Sequence, residues 1–138
     1  AQSDHAARLS EISRADAVTP ADFLRYIEIW LDYLPMLYPV GILLDSAALT
    51  DREAASAWDD RMKGAVLAGL KRITHGLAKG GHLAAGWDAD EAAELVWSLI
   101  HPASGRHLVV DCGWSAEAFG RSRLVIIQST VLSSRRRN

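Results

Sequence analysis

Residues 88–132 have the sequence DADEAAELVWSLIHPASGRHLVVDCGWSAEAFGRSRLVIIQSTVL and decide the fold class. They predict a capped helix, a short helix that begins at a proline, and a longer helix after a Gly-Trp-Ser turn. Asp88 and Glu91 have the spacing of a capping box, and Ser115 is a suitable N-cap. The stretches 95–100 and 124–127 are apolar on nearly every side. Each of these helices therefore needs cover on more than one face.

A second copy of the chain is the simplest cover for these two helices. The 138 residues make one domain with little spare material. We therefore expect an all-α fold of about six helices, in which the last two long helices form an intersubunit four-helix bundle. The predicted homodimer interface consists of Ala92, Leu95, Val96, Leu99, Phe119, Leu124, Ile127 and Val131.

The β-branched runs at 107–110 and 124–127 are also typical of strands. They lack period-2 alternation, no hairpin turn joins them, and both follow helix-start signals. Helix is therefore the interpretation that we keep for both runs.

The first half of the chain also predicts helices. Residues 3–14 form a short, weakly amphipathic helix. Thr19 and Pro20 are a strong helix start, with Thr as N-cap and Pro in the first turn. Pro35 predicts the end or a kink of that helix, because proline removes a backbone bond and clashes with the preceding turn. A separate short helix is expected at 40–49.

The longest predicted helix spans residues 51–79. Thr50 and Glu53 have the spacing of a capping box at its start. Gly80 and Gly81 predict its end, because glycine readily ends a helix.

Composition excludes several classes of function. The chain is 49% hydrophobic and 23% charged, with a net charge of −2, so it is globular and has no overall basic footprint for nucleic acid. The basic tail at 135–138 is short. The single cysteine, Cys112, fits a reducing compartment, and no apolar run is long enough to cross a membrane. We expect a cytoplasmic protein with no membrane association.

Catalytic and metal-binding motifs are missing from the sequence. The five histidines lack metal-ligand spacing, and there is neither a nucleophile elbow nor a phosphate-binding loop. We predict no cofactor, no metal and no catalytic residues. A small all-α enzyme is the weakest hypothesis, and its polar candidates are Tyr26, Glu28, Asp32, Tyr33 and Arg61.

Aromatic residues concentrate on two neighbouring predicted helices. An ordinary hydrophobic core explains this pattern. The functional alternative is a pocket for an apolar small molecule, oriented by tyrosine hydroxyls and an indole N–H. The predicted ligand-binding residues are Phe23, Tyr26, Ile27, Trp30, Tyr33, Leu34, Trp58, Met62 and Val66.

Three motifs together resemble the C-terminal domain of TetR-type transcriptional repressors. They are Leu95-Val96-Trp97-Ser98-Leu99-Ile100, Arg106-His107-Leu108-Val109-Val110, and the turn Gly113-Trp114-Ser115-Ala116-Glu117. The resemblance covers about Thr19 to Leu132. It implies an all-α, TetR C-terminal-like helical bundle, a homodimer built on the last two long helices, and a pocket among the helices at 3–14, 20–37 and 51–79.

The family's N-terminal helix-turn-helix is not present in these 138 residues. By the resemblance, residues 1–16 are a remnant of the connector helix, residues 17–134 form the effector-binding and dimerisation domain, and DNA is bound only through the missing domain. The implied function is sensing an unidentified small apolar or aromatic effector that alters DNA binding of the intact repressor. The alternatives are a pure dimerisation module without a working pocket and a small all-α enzyme.

Overall fold

The computed structural model describes residues 7–9, 11 and 18–133, and for 36–42, 44, 45, 48, 58 and 103 it describes the backbone alone. Described residues 18–133 contain no strand, and an isolated antiparallel bridge joins Leu83 to Leu132. The fold class is therefore all-α over this part of the chain. Residues 18–133 contain six α-helices: α1 (Pro20–Ala48), α2 (Arg52–Asp59), α3 (Ala68–Lys79), α4 (Ala89–Ile100), α5 (Pro102–Gly105) and α6 (Ala116–Val131).

Side-chain caps begin the helices where the sequence predicts. At α1, the Thr19 hydroxyl accepts from the Asp22 amide at 3.1 Å, and the Asp22 carboxylate accepts from the Thr19 amide at 3.2 Å. Asp88 caps α4, and Ser115 caps α6. Each cap satisfies a backbone N–H that has no partner within the helix.

The cap of α2 lies one residue later than the predicted box. Asp51, rather than Thr50, accepts from the amides of Glu53 and Ala54 at 2.9 and 3.2 Å. The carboxylate of Asp51 can accept two hydrogen bonds at once, which makes it the stronger N-cap here.

The helix end predicted at Pro35 is wrong, because α1, which is 29 residues long, continues past Pro35 to Ala48. The separate helix expected at 40–49 is therefore part of α1. The kink predicted as the alternative stays a prediction. Pro35 lies on the exposed side of the helix. Water can reach the carbonyl whose amide partner the proline removes, so the helix continues through this position.

The predicted long helix is present but is not uniformly α-helical. A π-helical segment, Asp60–Leu67, joins α2 to α3. Within it, the Ala68 amide donates to the carbonyl of Lys63, five residues earlier. The helix ends at Lys79, and Gly81 then adopts a positive φ of 74°. A second π segment, Arg106–Asp111, follows α5.

The helices pack around α1. This helix contacts α2, α4, α5 and α6, while α3 packs mainly against α4. Because α1 has neighbours on several sides, Ile29 is buried as well as the predicted stripe. Burial of this wide face is what stabilises a helix of this length.

The loop between α3 and α4 holds the end of α6. The Ala84 amide donates to the Val131 carbonyl at 2.7 Å, and the Ser133 amide donates to the His82 carbonyl at 2.7 Å. The indole of Trp87 donates to the Thr130 carbonyl at 2.9 Å. The bonds from Ala84 and Trp87 satisfy carbonyls of the last turn of α6, which have no partner within the helix, and the bond from Ser133 ties the residue after the helix to the loop.

Two predicted segments lie mostly or wholly outside the described residues. Of the helix predicted at 3–14, residues 7–9 and 11 are described and are helical, and Leu9 is buried. The basic tail at 135–138 is outside the description. Over the described residues, none of the helices has the length and apolar character needed to span a bilayer.

Candidate functional site

Eight of the predicted ligand-binding residues meet in one buried cluster. Each has at most 7% of its side chain exposed, and all belong to a single contiguous core. The side chain of the ninth, Trp58, is outside the described residues. We call the eight residues the aromatic cluster: Phe23, Tyr26, Ile27, Trp30, Tyr33, Leu34, Met62 and Val66.

The indole of Trp30 is tied to the end of α4. Its Nε1–H donates to the carbonyl of Ile100 at 2.8 Å, in a buried position. Ile100 is the last residue of α4, so this carbonyl has no amide partner further along the helix. The Trp30 ring also meets Tyr33 edge to face, with centroids 5.8 Å apart. Trp30 therefore acts as a C-terminal cap for α4 as well as a core side chain.

A second indole is tied to the π segment Asp60–Leu67. The Nε1–H of Trp97, on α4, donates to the Met62 carbonyl at 3.0 Å. The side chain of Met62 belongs to the aromatic cluster. Met62 thus joins the cluster, the π segment and α4 at one position.

The edge of the aromatic cluster carries two tyrosine hydroxyls near arginines. The guanidinium of Arg61 donates to the Tyr33 hydroxyl at 3.0 Å. Burial raises the pKa of Tyr26 to about 12, against a smaller lowering by the positive charge of Arg72. The Tyr26 phenol is therefore neutral at physiological pH. The two hydroxyls give an otherwise apolar cluster a polar edge.

Among the remaining polar candidates, Arg61 contacts the cluster through the Tyr33 hydroxyl. Glu28, Asp32 and Arg61 are exposed, whereas the rings of Tyr26 and Tyr33 are buried. No group of three metal-ligating side chains occurs within the described residues.

Five of the eight predicted interface residues are buried within a single chain. Ala92, Val96, Ile127 and Val131 are fully buried, and Phe119 is 2% exposed. Leu95, Leu99 and Leu124 are half-buried and pack against the same core. Most of the predicted set therefore covers the chain's own interior, and the homodimer itself stays a prediction.

Another side of α6 carries apolar residues that the described chain leaves exposed. Val125 is 64% exposed and Ile126 is 40% exposed. We call this side the outer face of α6: Glu117, Arg121, Val125, Ile126, Gln128 and Ser129. Arg123 is not part of it, because its guanidinium lies 4.7 Å from the centre of the Phe119 ring, a cation–π distance.

Two polar side-chain pairs link α3 to α4 at the surface. The Nε2 of His75 lies 2.8 Å from a carboxylate oxygen of Asp90, and Lys71 lies 3.8 Å from Glu94. The hydrogen bond from His75 is the main cause that lowers the pKa of Asp90. Pairs this exposed contribute little to stability, so they orient the helices rather than hold them together.

Trp97 is the residue whose role the sequence does not predict. Its indole donates to a backbone carbonyl in a π segment. No spacing of residues in the sequence predicts either the π segment or this hydrogen bond. The only sequence signal was its place in a helix that is apolar on nearly every side.

Comparison with known proteins adds no relative to this description. Neither the family models, nor the curated proteins, nor the solved structures compared with the chain gave a match. The TetR-type resemblance therefore rests on the quoted motifs alone and stays a prediction.

Proposed function

We propose that this chain is the effector-binding and dimerisation domain of a TetR-type transcriptional repressor. The observation that supports it is the aromatic cluster, in which buried rings from α1 meet Met62 and Val66 of the π segment, with the Arg61–Tyr33 pair at the edge. A largely apolar site with a few placed polar groups suits a small apolar or aromatic effector. The protein would be a cytoplasmic homodimer that binds DNA only through its N-terminal domain.

The proposed mechanism is a population shift. An effector changes DNA binding only if it binds more tightly to one arrangement of the two DNA-binding domains than to the other. The cluster lies between α1 and the π segment, both of which also contact α4. An effector that separates α1 from the π segment would move α4. Together with α6, α4 forms the helix pair that the proposal assigns to the dimer.

A second candidate is a dimerisation module without an effector. It is favoured by the polar groups of the cluster, because the Trp30 indole already donates to Ile100 and the Tyr33 hydroxyl already accepts from Arg61. These groups are then satisfied by the protein and serve the packing of its core.

Non-denaturing mass spectrometry of the purified 15.0 kDa chain separates the two candidates. A dimer with added small-molecule mass supports the effector domain. A dimer without added mass, and without a shift in Tm when an anilinonaphthalene sulfonate dye is present, supports the dimerisation module. A monomer at micromolar concentration contradicts both.

A matched pair of substitutions locates the bound molecule. Val66→Phe places an aromatic ring in the space of a smaller side chain inside the aromatic cluster. Val125→Phe adds the same ring to the outer face of α6, where it is exposed. Retention of the added mass, or of dye binding, should be lost with the first and kept with the second. Loss with Val125→Phe alone would move the binding site away from the cluster.

A further inference from the structure

The π segment Asp60–Leu67 joins two helices that have different neighbours. On one side of it, α2 packs against α1, and on the other, α3 packs against α4. A π turn closes its hydrogen bonds over five residues instead of four, so it holds extra chain that an α-helix would not. The position of this extra chain sets the register between α2 and α3.

Reclosing the segment as α-helix would move one of its neighbours. With α3 held against α4, the released residue passes into α2. That helix then rotates by about 100° and moves by about 1.5 Å along its axis. Ala54 and Ala55, which are half-buried in α2, would leave their present places. The two closures are therefore discrete arrangements, and intermediate ones are not packed.

A side chain of α4 acts on this choice. In an α-helical closure, the Met62 carbonyl would accept from the amide four residues later. In the structure it accepts from the Trp97 indole at 3.0 Å. A side chain that donates to a helix carbonyl competes with the backbone amide for it, and this competition favours an irregular closure at that point. The Trp97 ring is held in turn by an edge-to-face contact with His101, with centroids 5.3 Å apart.

We propose that the π segment Asp60–Leu67 is a register switch and that the hydrogen bond from Trp97 to the Met62 carbonyl is its latch. When the bond is made, α2 keeps its present face against α1. When it is broken, the segment interconverts between the π and the α-helical closure, which opens its backbone amides to exchange, and α2 turns with each passage. The proposal requires neither an effector nor a dimer, so its test is independent of the proposed function.

The first experiment is Trp97→Phe, which removes the donor and keeps an aromatic ring. We expect amide hydrogen exchange in the π segment to become about tenfold faster than in the unsubstituted chain, the size expected for the loss of one hydrogen bond. Exchange in α6 should stay unchanged. Exchange in the π segment within twofold of the original, or faster exchange in every helix equally, would overturn the latch.

Trp87→Phe is the matched control. It removes an indole-to-carbonyl bond of similar length, 2.9 Å, at the end of α6. Exchange should become faster at the end of α6 and remain unchanged in the π segment. If Trp87→Phe accelerates the π segment as much as Trp97→Phe does, the effect is general loss of packing and the latch is overturned.

Deletion of Gly64 tests the register itself. Gly64 has no side chain, so its deletion removes no side-chain contact. Nothing lies within 4 Å of the place that a Cβ would take there, so the space around this residue is open. The shortened segment can close as α-helix while α2 and α3 keep their places. We expect a folded protein with slower exchange in this segment, in which Trp97→Phe has no further effect. An unfolded variant, or a continuing effect of Trp97→Phe, would overturn the switch.

Discussion

The aromatic cluster and the outer face of α6 are both rich in apolar side chains, but only the cluster is covered by the described chain. Phe23 and Ile27 are 0% exposed, whereas Val125 is 64% exposed. The two regions differ in where they lie and not in how apolar they are. Other helices pack on several sides of α1 but on one side of α6. Apolar character in the sequence therefore says that a residue needs cover, but not which chain supplies it.

Neighbouring residues of α6 make the same contrast within one helix. Ile127 is fully buried and Ile126 is 40% exposed. The sequence prediction placed Ile127 at the dimer interface, and the structure places it in the chain's own core. A partner on this helix would instead contact the outer face of α6.

The largest expected effect comes from charging each side of α6 in turn. Ile127→Glu should lower the free energy of unfolding by about 4 kcal/mol, because it places a carboxylate in the core without a partner. Val125→Glu should change it by less than about 0.5 kcal/mol, because an exposed glutamate stays in water. Urea denaturation measures both values at a concentration where the chain is monomeric.

The same pair of variants tests the outer face of α6 as a contact surface. Size-exclusion chromatography of Val125→Glu should show weaker self-association with an unchanged circular dichroism spectrum. Equal destabilisation by the two substitutions would remove the distinction between the covered and uncovered sides of α6.

A smaller effect is expected from the capping bond of Trp30. Trp30→Phe keeps a ring in the aromatic cluster but leaves the buried Ile100 carbonyl without its donor. We expect a loss of about 2 kcal/mol in the free energy of unfolding. Trp114→Phe is the control, since Trp114 is 41% exposed, and it should cost less than about 0.5 kcal/mol. Similar losses for both would mean that ring size, and not the hydrogen bond, is what matters.

The edge of the aromatic cluster should also make the stability of the fold depend on pH. Burial raises the pKa of Tyr26 from 10.0 in the unfolded chain to about 12 in the fold. Its neutral phenol therefore contributes stability below pH 10 that is lost as the pH rises through 12. The Tm of the original chain should fall more steeply over this range than that of Tyr26→Phe. Parallel Tm curves would show that the Tyr26 hydroxyl is in contact with water.

Helix limits were predictable because the signals that set them are local. A capping side chain bonds to amides two or three residues away, as Thr19, Asp88 and Ser115 do, so sequence spacing is enough to find it. The buried face of α1 was also predictable from its helical spacing. These features locate the residues of the candidate site without any knowledge of tertiary structure.

The remaining features depend on contacts between distant parts of the chain. The π segment at Met62 is bonded to Trp97, which lies 35 residues further on, and the Trp30 bond joins residues 70 apart. Pro35 was expected to end or kink α1, but it lies on the exposed side and the helix continues past it. Helical spacing predicts which face of a helix is buried, but it does not predict which distant carbonyl a side chain on that face will bond to.

The bonds that hold the end of α6 have a consequence for the order of folding. Leu83 and Leu132 form a bridge, and Trp87 donates to Thr130, so these contacts close a loop of about fifty residues that contains α4, α5 and most of α6. Helical turns form from near neighbours, whereas this closure must wait until α6 reaches the loop after α3. The Trp87 indole lies at the closing point, so in a variant that keeps Trp87 as its single tryptophan we expect the fluorescence to report this long-range closure.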